Sequence, residues 1–506
     1  MSSDSIHRRS VEPAAAATPA ADSSSIASSG ETAGVLGGAS TDVGKKKDAV
    51  GSASLVDGAE KGPVVVQADD YDASQGISEK TKAKFKQLGW VRLTVCLIVE
   101  AIALGALSLP GVFATLGLVP GALTCIGIGL IAIYTSYLVG RACNRSPIPI
   151  EHFHDLGELM FGRVGREVIG GCFFVYLGLV TGSHALTGAI AFNNLSNSAV
   201  CSIVFTVVSS IILFLVALPP SFADIAILGY IDFVSICAAI LLTIVATGIQ
   251  ASNAPGGLSA VNWHAFPEER PTFAKAFVAI TNVVFAYSFA ICQPSFQAEL
   301  KKPNDYIKSV WALGITEIVL YTLTGAIIYV FVGQGVQSPA LLSAGPTVSK
   351  IAFGIALPVI FISGSINTTS AARYMHVRIF GKTRHRWIST PLGIGAWLGL
   401  NAVIVIFGWV VASLVPFFEN FLGLMASLAV SGFTFYLPAL MWFLCPGMKE
   451  GTWRDSWKNI MLAAVNAVIF LMGIFILVCG VYSSVTEIKE QYATGTIHRP
   501  FSCNLH

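Results

Sequence analysis

Charge is scarce in this chain. Only 12% of its 506 residues are Asp, Glu, Lys or Arg, about half the share of an ordinary soluble domain. The 31 basic and 29 acidic residues nearly cancel, leaving +2, so no bulk field recruits nucleic acid. Catalytic signatures are missing too. There is no G-x-x-x-x-G-K-S/T loop to cradle ATP phosphates, so ATP-driven pumping is not expected. No G-x-S-x-G, H-E-x-x-H or clustered Cys/His pattern supports an enzyme or implies a cofactor. The 10 cysteines are scattered, most of them in apolar runs (Cys96, Cys125, Cys172, Cys237, Cys479). Their spacing is neither a disulfide framework nor a zinc site, so they read as small apolar packing residues. "HFHD" (His152 to Asp155) resembles a metal pair only superficially, since no further ligands lie at suitable spacing. No metal is expected.

What the chain has is apolar length: 54% of it is hydrophobic. Residues 1–85 stand apart, rich in Ser, Ala, Gly and Asp, with "GKKKDAV" and few aromatics. Such a segment buries too little apolar area to fold alone and lacks the apolar core of a signal peptide. It reads as a disordered cytosolic tail. Residues 86–485 form a transmembrane domain, and 486–506 a short extracytosolic tail. About eleven runs are long enough to cross a bilayer: Leu93–Gly117, Gly121–Gly140, Val168–Phe192, Val200–Leu218, Ile225–Ile249, Phe273–Phe296, Val310–Val332, Val348–Ser370, Leu392–Val415, Phe421–Leu444 and Ile460–Tyr482.

Basic residues in short loops orient the spans. Arg141, Arg145, Arg163 and Arg166 follow the second span, and Lys301 and Lys302 the sixth. Arg373, Arg378, Lys382, Arg384 and Arg386 follow the eighth, and Lys449, Arg454 and Lys458 the tenth. The opposite loops "LGLVP", "NNLSNSA" and "VPFFEN" have none. The alternation puts the N-terminus in the cytosol and the C-terminus outside. "PPSFAD" is the one cytosolic loop without a basic residue. The sequon at Asn194 falls outside and is a glycosylation candidate, on a short loop close to the membrane.

Two spans carry residues that break helices. The first reads "EAIALGALSLPG", with Gly105, Ser108 and Pro110. The sixth reads "NVVFAYSFAICQPSFQAELKKP", with Tyr287, Ser288, Gln293, Pro294 and Gln297. Unwound backbone survives in a bilayer only where it lines a cavity or is buried in protein; a simple proline kink is the alternative. Interruptions at matching positions, five spans apart and oppositely oriented, point to an inverted-repeat secondary transporter with its substrate at the midplane. Free amides at a half-helix N-terminus, near Ser108 and Leu109, suit a carboxylate. Free carbonyls near Ala286 to Ser288 suit an ammonium. The candidate substrate-binding residues are therefore Gly105, Ala106, Leu107, Ser108, Ala286, Tyr287 and Ser288, and the ligand is an α-amino acid.

"EAIALGALSLPGVFATLGLVPG", "HDLGELMFGRVGRE" and "QPSFQAELKKPNDY" resemble the amino acid/auxin permease family (amino acid/polyamine transporter 2), above all its fungal neutral amino acid permeases. The resemblance covers nearly all of residues 85–485. It implies an all-α membrane protein, a five-plus-five inverted repeat with broken first and sixth helices plus an eleventh helix. It also implies amino acid uptake driven by a proton gradient, in the plasma membrane rather than the vacuole. Ser288 stands where the pattern calls for glycine, a departure that bears on pocket size and so on substrate.

Glu100 lies roughly 15 Å into the first span. An intramembrane acid that is neutral in one state and charged in another suits proton coupling. Asp232 and Glu317 are rival carriers by the same rule, and His184 is either a titrating group or a packed one. "SGSINTTS" (Ser363 to Ser370) holds hydroxyls and Asn367 that would either bind Na⁺ with first-span carbonyls or cap a helix. Phe174, Tyr176 and Tyr287 either wall the pocket or pack. Two other functions compete with amino acid symport: carriage of amino-acid-derived specialised metabolites, and transporter-like sensing. Nothing in the residues implies an oligomeric state.

Overall fold

The computed structural model describes residues 89–494 apart from 103, 220, 221, 299, 382, 384, 386, 387, 389 and 450, together with Phe501 and Cys503. For Cys96, Val99, Glu100 and 222–228 it describes backbone only. The expected N-terminal tail lies outside the described residues.

In lipid a backbone amide finds no water and must bond within its own segment, which selects helices. The chain forms α1 (Trp90–Ala101), α2 (Gly105–Leu116), α3 (Leu118–Arg145), α4 (Phe153–Ser196), α5 (Ser202–Val216), α6 (Phe222–Asn253) and α7 (Phe273–Ala286). It continues through α8 (Gln293–Ala298), α9 (Tyr306–Val332), α10 (Pro346–Phe380), α11 (Pro391–Leu414), α12 (Phe418–Met425), α13 (Leu437–Leu444) and α14 (Trp457–Ala493). Among the described residues, eight helical stretches are long and apolar enough to cross a membrane, and α2, α5 and α7 are shorter apolar helices. Each expected run is thus occupied. The first span is α1 plus α2, the sixth α7 plus α8, and the tenth α12 and α13 joined by a π-helical stretch, Ala426–Tyr436.

Helices overrun the apolar runs because hydropathy marks only the part in lipid. Helix α4 begins at Phe153, ahead of the run at Val168, and turns at Gly162, whose φ of 63° needs a residue without Cβ. Helix α14 continues past Tyr482 to Ala493. Span 3 (α4) packs most extensively along span 8 (α10), its counterpart five places on. The half-helices α2 and α7, of spans 1 and 6, also pack together. Contact between counterparts is what an inverted repeat places on its axis.

One reading of the sequence is corrected. Cys201 and Cys503 are not packing residues but form a disulfide, 302 residues apart in sequence. Beside it the Ser202 amide donates to the Cys503 carbonyl at 3.2 Å. Spacing rules see only local cysteine patterns, so a pair this distant leaves no trace. Among the described residues, Cys125, Cys143, Cys172, Cys237, Cys445 and Cys479 are in no disulfide. Alkylation of the intact protein by a maleimide, read by peptide mass spectrometry, should modify exposed Cys172 and leave Cys201 and Cys503 untouched until a reductant is added. Labelling of Cys503 without reductant would refute the bridge.

Candidate functional site

The first break falls between Ala101 and Gly105. Helix α1 closes with the Ile102 amide on the Ile98 carbonyl at 3.1 Å. Helix α2 starts at Gly105, a turn earlier than the free amides expected at Ser108 and Leu109. The reason is local. The Ser108 hydroxyl donates back to the Gly105 carbonyl at 2.9 Å, which places Ser108 inside the first turn. Pro110 lacks an N–H and leaves the Ala106 carbonyl without its usual donor. Helix geometry gives the amides at the start of α2, beginning with Gly105 and Ala106, no carbonyl partner inside the helix.

The second break begins at Tyr287, whose φ of −97° and ψ of 38° end α7. A single 3₁₀ turn, Ser288–Ala290, follows before α8. The two breaks touch. A Cβ on Gly105 would lie 2.8 Å from the Ala286 Cα and 3.0 Å from its Cβ. Only glycine lets the positive end of α2 and the negative end of α7 approach this closely.

A cavity opens beside the contact. Ala101, Leu104 and Gly105 line it from span 1, and Phe285, Ser288, Phe289, Ile291 and Cys292 from span 6. Tyr176, Val180 and His184 come from α4 and Asn367 from α10, with Leu97 completing the wall. The lining is mostly apolar and, among the described residues, includes no Asp, Glu, Lys or Arg. His184 is buried, and its Nδ1 lies 2.8 Å from the Ile360 carbonyl. A carbonyl only accepts, so Nδ1 carries the proton and Nε2 of the neutral ring is an acceptor.

The residues singled out in the sequence divide. Gly105 and Ser288 line the cavity; Ala106, Leu107, Ser108 and Ala286 are buried around it. Tyr287 is fully buried and turns away, its ring edge-on to Tyr321 at 5.3 Å. Gln293 and Gln297 serve packing: Gln293 donates to the Ser136 carbonyl at 3.0 Å, and Gln297 to the Gly140 carbonyl at 2.9 Å. They staple α8 to α3. Glu317 and Asp232 are wholly buried, and none of their four carboxylate oxygens has a hydrogen-bond partner. Glu100 is on α1 one residue before its end, with its side chain outside the description. In "SGSINTTS", Ser365, Thr368, Thr369 and Ser370 donate to carbonyls, and only Asn367 reaches the cavity. Phe174 packs on the apolar core, whereas Tyr176 lines the cavity. Asn194 lies in the last turn of α4, half-buried, and accepts from Ser349 at 3.3 Å. Among the described residues no cluster of three or more His, Cys, Asp or Glu could hold a metal.

His152 and His154 stack at 5.6 Å, and His152 Nδ1 meets the Ser295 hydroxyl at 2.8 Å. "HFHD" thus joins the start of α4 to α8. Burial holds the His152 ring below the ordinary imidazole range, with Asp155 and Glu151 opposing. Glu419 was missed because "VPFFEN" reads as a loop. It begins α12, and its carboxyl sits against Gly111 of α2.

Residues 86–483 match the family model for transmembrane amino acid transporter proteins. The chain belongs to that family. It is 51% identical over 428 residues to the N amino acid transport system protein of Neurospora crassa, covering 84% of this chain and 90% of the relative. It is 29% identical to a transmembrane transporter of Gibberella moniliformis (83% and 88% covered), and 21% identical to amino acid permease 6 of Arabidopsis thaliana (74% and 86% covered). The fold is similar to that of Mhp1, a nucleobase-cation-symport-1 family transporter, in a closed conformation with bromovinylhydantoin bound. There the TM-score is 0.52 at 14% identity, covering 82% of this chain and 94% of that one. The chain is a multi-pass membrane transporter of the amino acid class, with the five-plus-five helical architecture expected from its sequence.

The Gly105 contact gives a direct test. Gly105→Val should lower amino acid uptake at least about tenfold, with normal membrane yield. Gly127→Ala, where a new Cβ meets nothing within 4 Å, should leave uptake unchanged. Equal uptake by both variants would mean that the breaks need not touch.

Proposed function

We propose that the protein imports neutral amino acids with protons by alternating access. One observation carries the reading: the N-terminus of α2 meets the C-terminus of α7 across Gly105 and Ala286. Free amides at one end attract a carboxylate, and free carbonyls at the other accept from an ammonium. The pair is complementary to the zwitterion of an α-amino acid. The wall around it, with Val180, Phe285, Phe289 and Ile291, favours an uncharged side chain, because a charged one would find no counter-ion there. The name of the Neurospora relative supports amino acids as the class. The buried, unpaired carboxyls of Asp232 and Glu317 support protons over Na⁺.

The basic loops after spans 2, 6, 8 and 10 support a cytosolic N-terminus. The Cys201–Cys503 bridge, at the opposite ends of the spans, supports an oxidising exterior and an extracytosolic C-terminus. The plasma membrane is the proposed site.

Uptake of a labelled amino acid panel into proteoliposomes, with an inward proton gradient, tests the reading. Neutral members should accumulate, lysine and glutamate should not, and a protonophore should abolish accumulation. Binding without flux would favour a sensor. No response to any amino acid would favour a carrier of derived metabolites.

A further inference from the structure

Glu317 stands in the middle of α9, fully buried and away from the cavity. Among the described residues no basic side chain pairs with it, and both carboxyl oxygens lack a partner. Tyr321 lies four residues on, and so on the same helix face. Tyr287 approaches from the break in span 6, edge-on to Tyr321, and its hydroxyl is also buried without a partner. Both tyrosines interact electrostatically with the Glu317 carboxyl. The Tyr321 hydroxyl donates to the Ala101 carbonyl at 2.9 Å. Ala101 ends α1 and lines the cavity. One acid thus has a tyrosine leading to each break.

Among the described residues the other titratable neighbours include no basic group. Of α3, Cys125 interacts with Tyr287. Asp232 of α6 is buried without an ionic neighbour among the described residues, and the Glu100 side chain of α1 is outside them. Leaving a buried polar group unbonded is destabilising. Here a proton decides how the cluster is satisfied. No hydrogen bond joins Glu317 to Tyr287 in this arrangement; on approach, a carboxylic acid O–H would donate to the Tyr287 oxygen, and a carboxylate would accept from the Tyr287 O–H.

We propose that Glu317 carries the coupled proton, and that Tyr287 and Tyr321 transmit its protonation state to the two helix breaks that hold the substrate. This rests on the symport reading above. The step is proton transfer alone. The carboxylate takes a proton arriving from the cavity side, becomes a neutral acid, and returns the proton to cytosolic water when that side opens. Tyr287 and Tyr321 keep their own protons and act as positioning residues.

The full-length chain in proteoliposomes tests this with the neutral amino acid that the wild type takes up best. Two quantities are read: accumulation under an inward gradient, and gradient-free exchange across a pH series. Glu317→Gln should lose accumulation, by about tenfold or more, keep exchange within about twofold, and make exchange independent of pH. Glu317→Asp should restore part of the accumulation. Tyr321→Phe and Tyr287→Phe should move the pH midpoint of exchange. Wild-type-like accumulation and pH profile in Glu317→Gln would overturn the proposal, and loss confined to Asp232→Asn would move the role there. If Glu317→Gln fails to fold, an unshifted profile in Tyr287→Phe overturns it. A wild type that never accumulates substrate under a proton gradient would instead defeat the symport reading itself.

Discussion

Backbone polarity in a solvent that cannot hydrogen-bond governs this molecule. Every amide and carbonyl between the interfaces needs a partner from the chain itself. Two spans violate that rule at their centres, at Ala101 to Gly105 and at Tyr287. The violations are tolerable because they face one another and a cavity, where a ligand's charged ends can complete them. The absence of a side chain at Gly105 is what keeps the two ends in register.

Around this centre the two halves of the molecule are held differently. Helix α8, the continuation of span 6, is tied by polar side chains: Gln293 and Gln297 to α3, and Ser295 to His152. The same face carries Tyr374, which accepts from Arg378 at 2.9 Å, while Arg378 pairs with Glu167. Short, polar, reversible contacts dominate here. The opposite ends of the spans are fixed instead by a covalent bond between Cys201 and Cys503. The alternating access proposed above needs one face to open while the other stays closed, and bonds of moderate strength are compatible with it.

Much of this was legible in the residues. Eleven apolar runs gave eleven spans, because hydropathy and helix formation answer to the same lack of water. Gly105 and Pro110 marked the first break, since few residues serve there. The position of the break within a turn was not legible: it depends on where the Ser108 hydroxyl bonds. Nor was the direction of Tyr287, which tertiary packing against Tyr321 decides. Gln293 and Gln297 stood out in the sixth span because polarity there signals an interior, and that interior is a helix contact. His184 offered both a packed and a working reading. The geometry keeps both, one ring nitrogen for each.

The bridge also changes the connectivity of the polypeptide. With residues 201 and 503 joined, spans 4 to 11 form a closed macrocycle, and spans 1 to 3 remain a linear arm laid into it. The broken span 1 belongs to the arm, whereas the broken span 6 belongs to the ring. The cavity therefore lies at the seam between an open chain and a cyclised one. A pull on the N-terminus would peel the arm away span by span. A pull on the C-terminus would load span 4 through the sulfur bond and leave the arm seated.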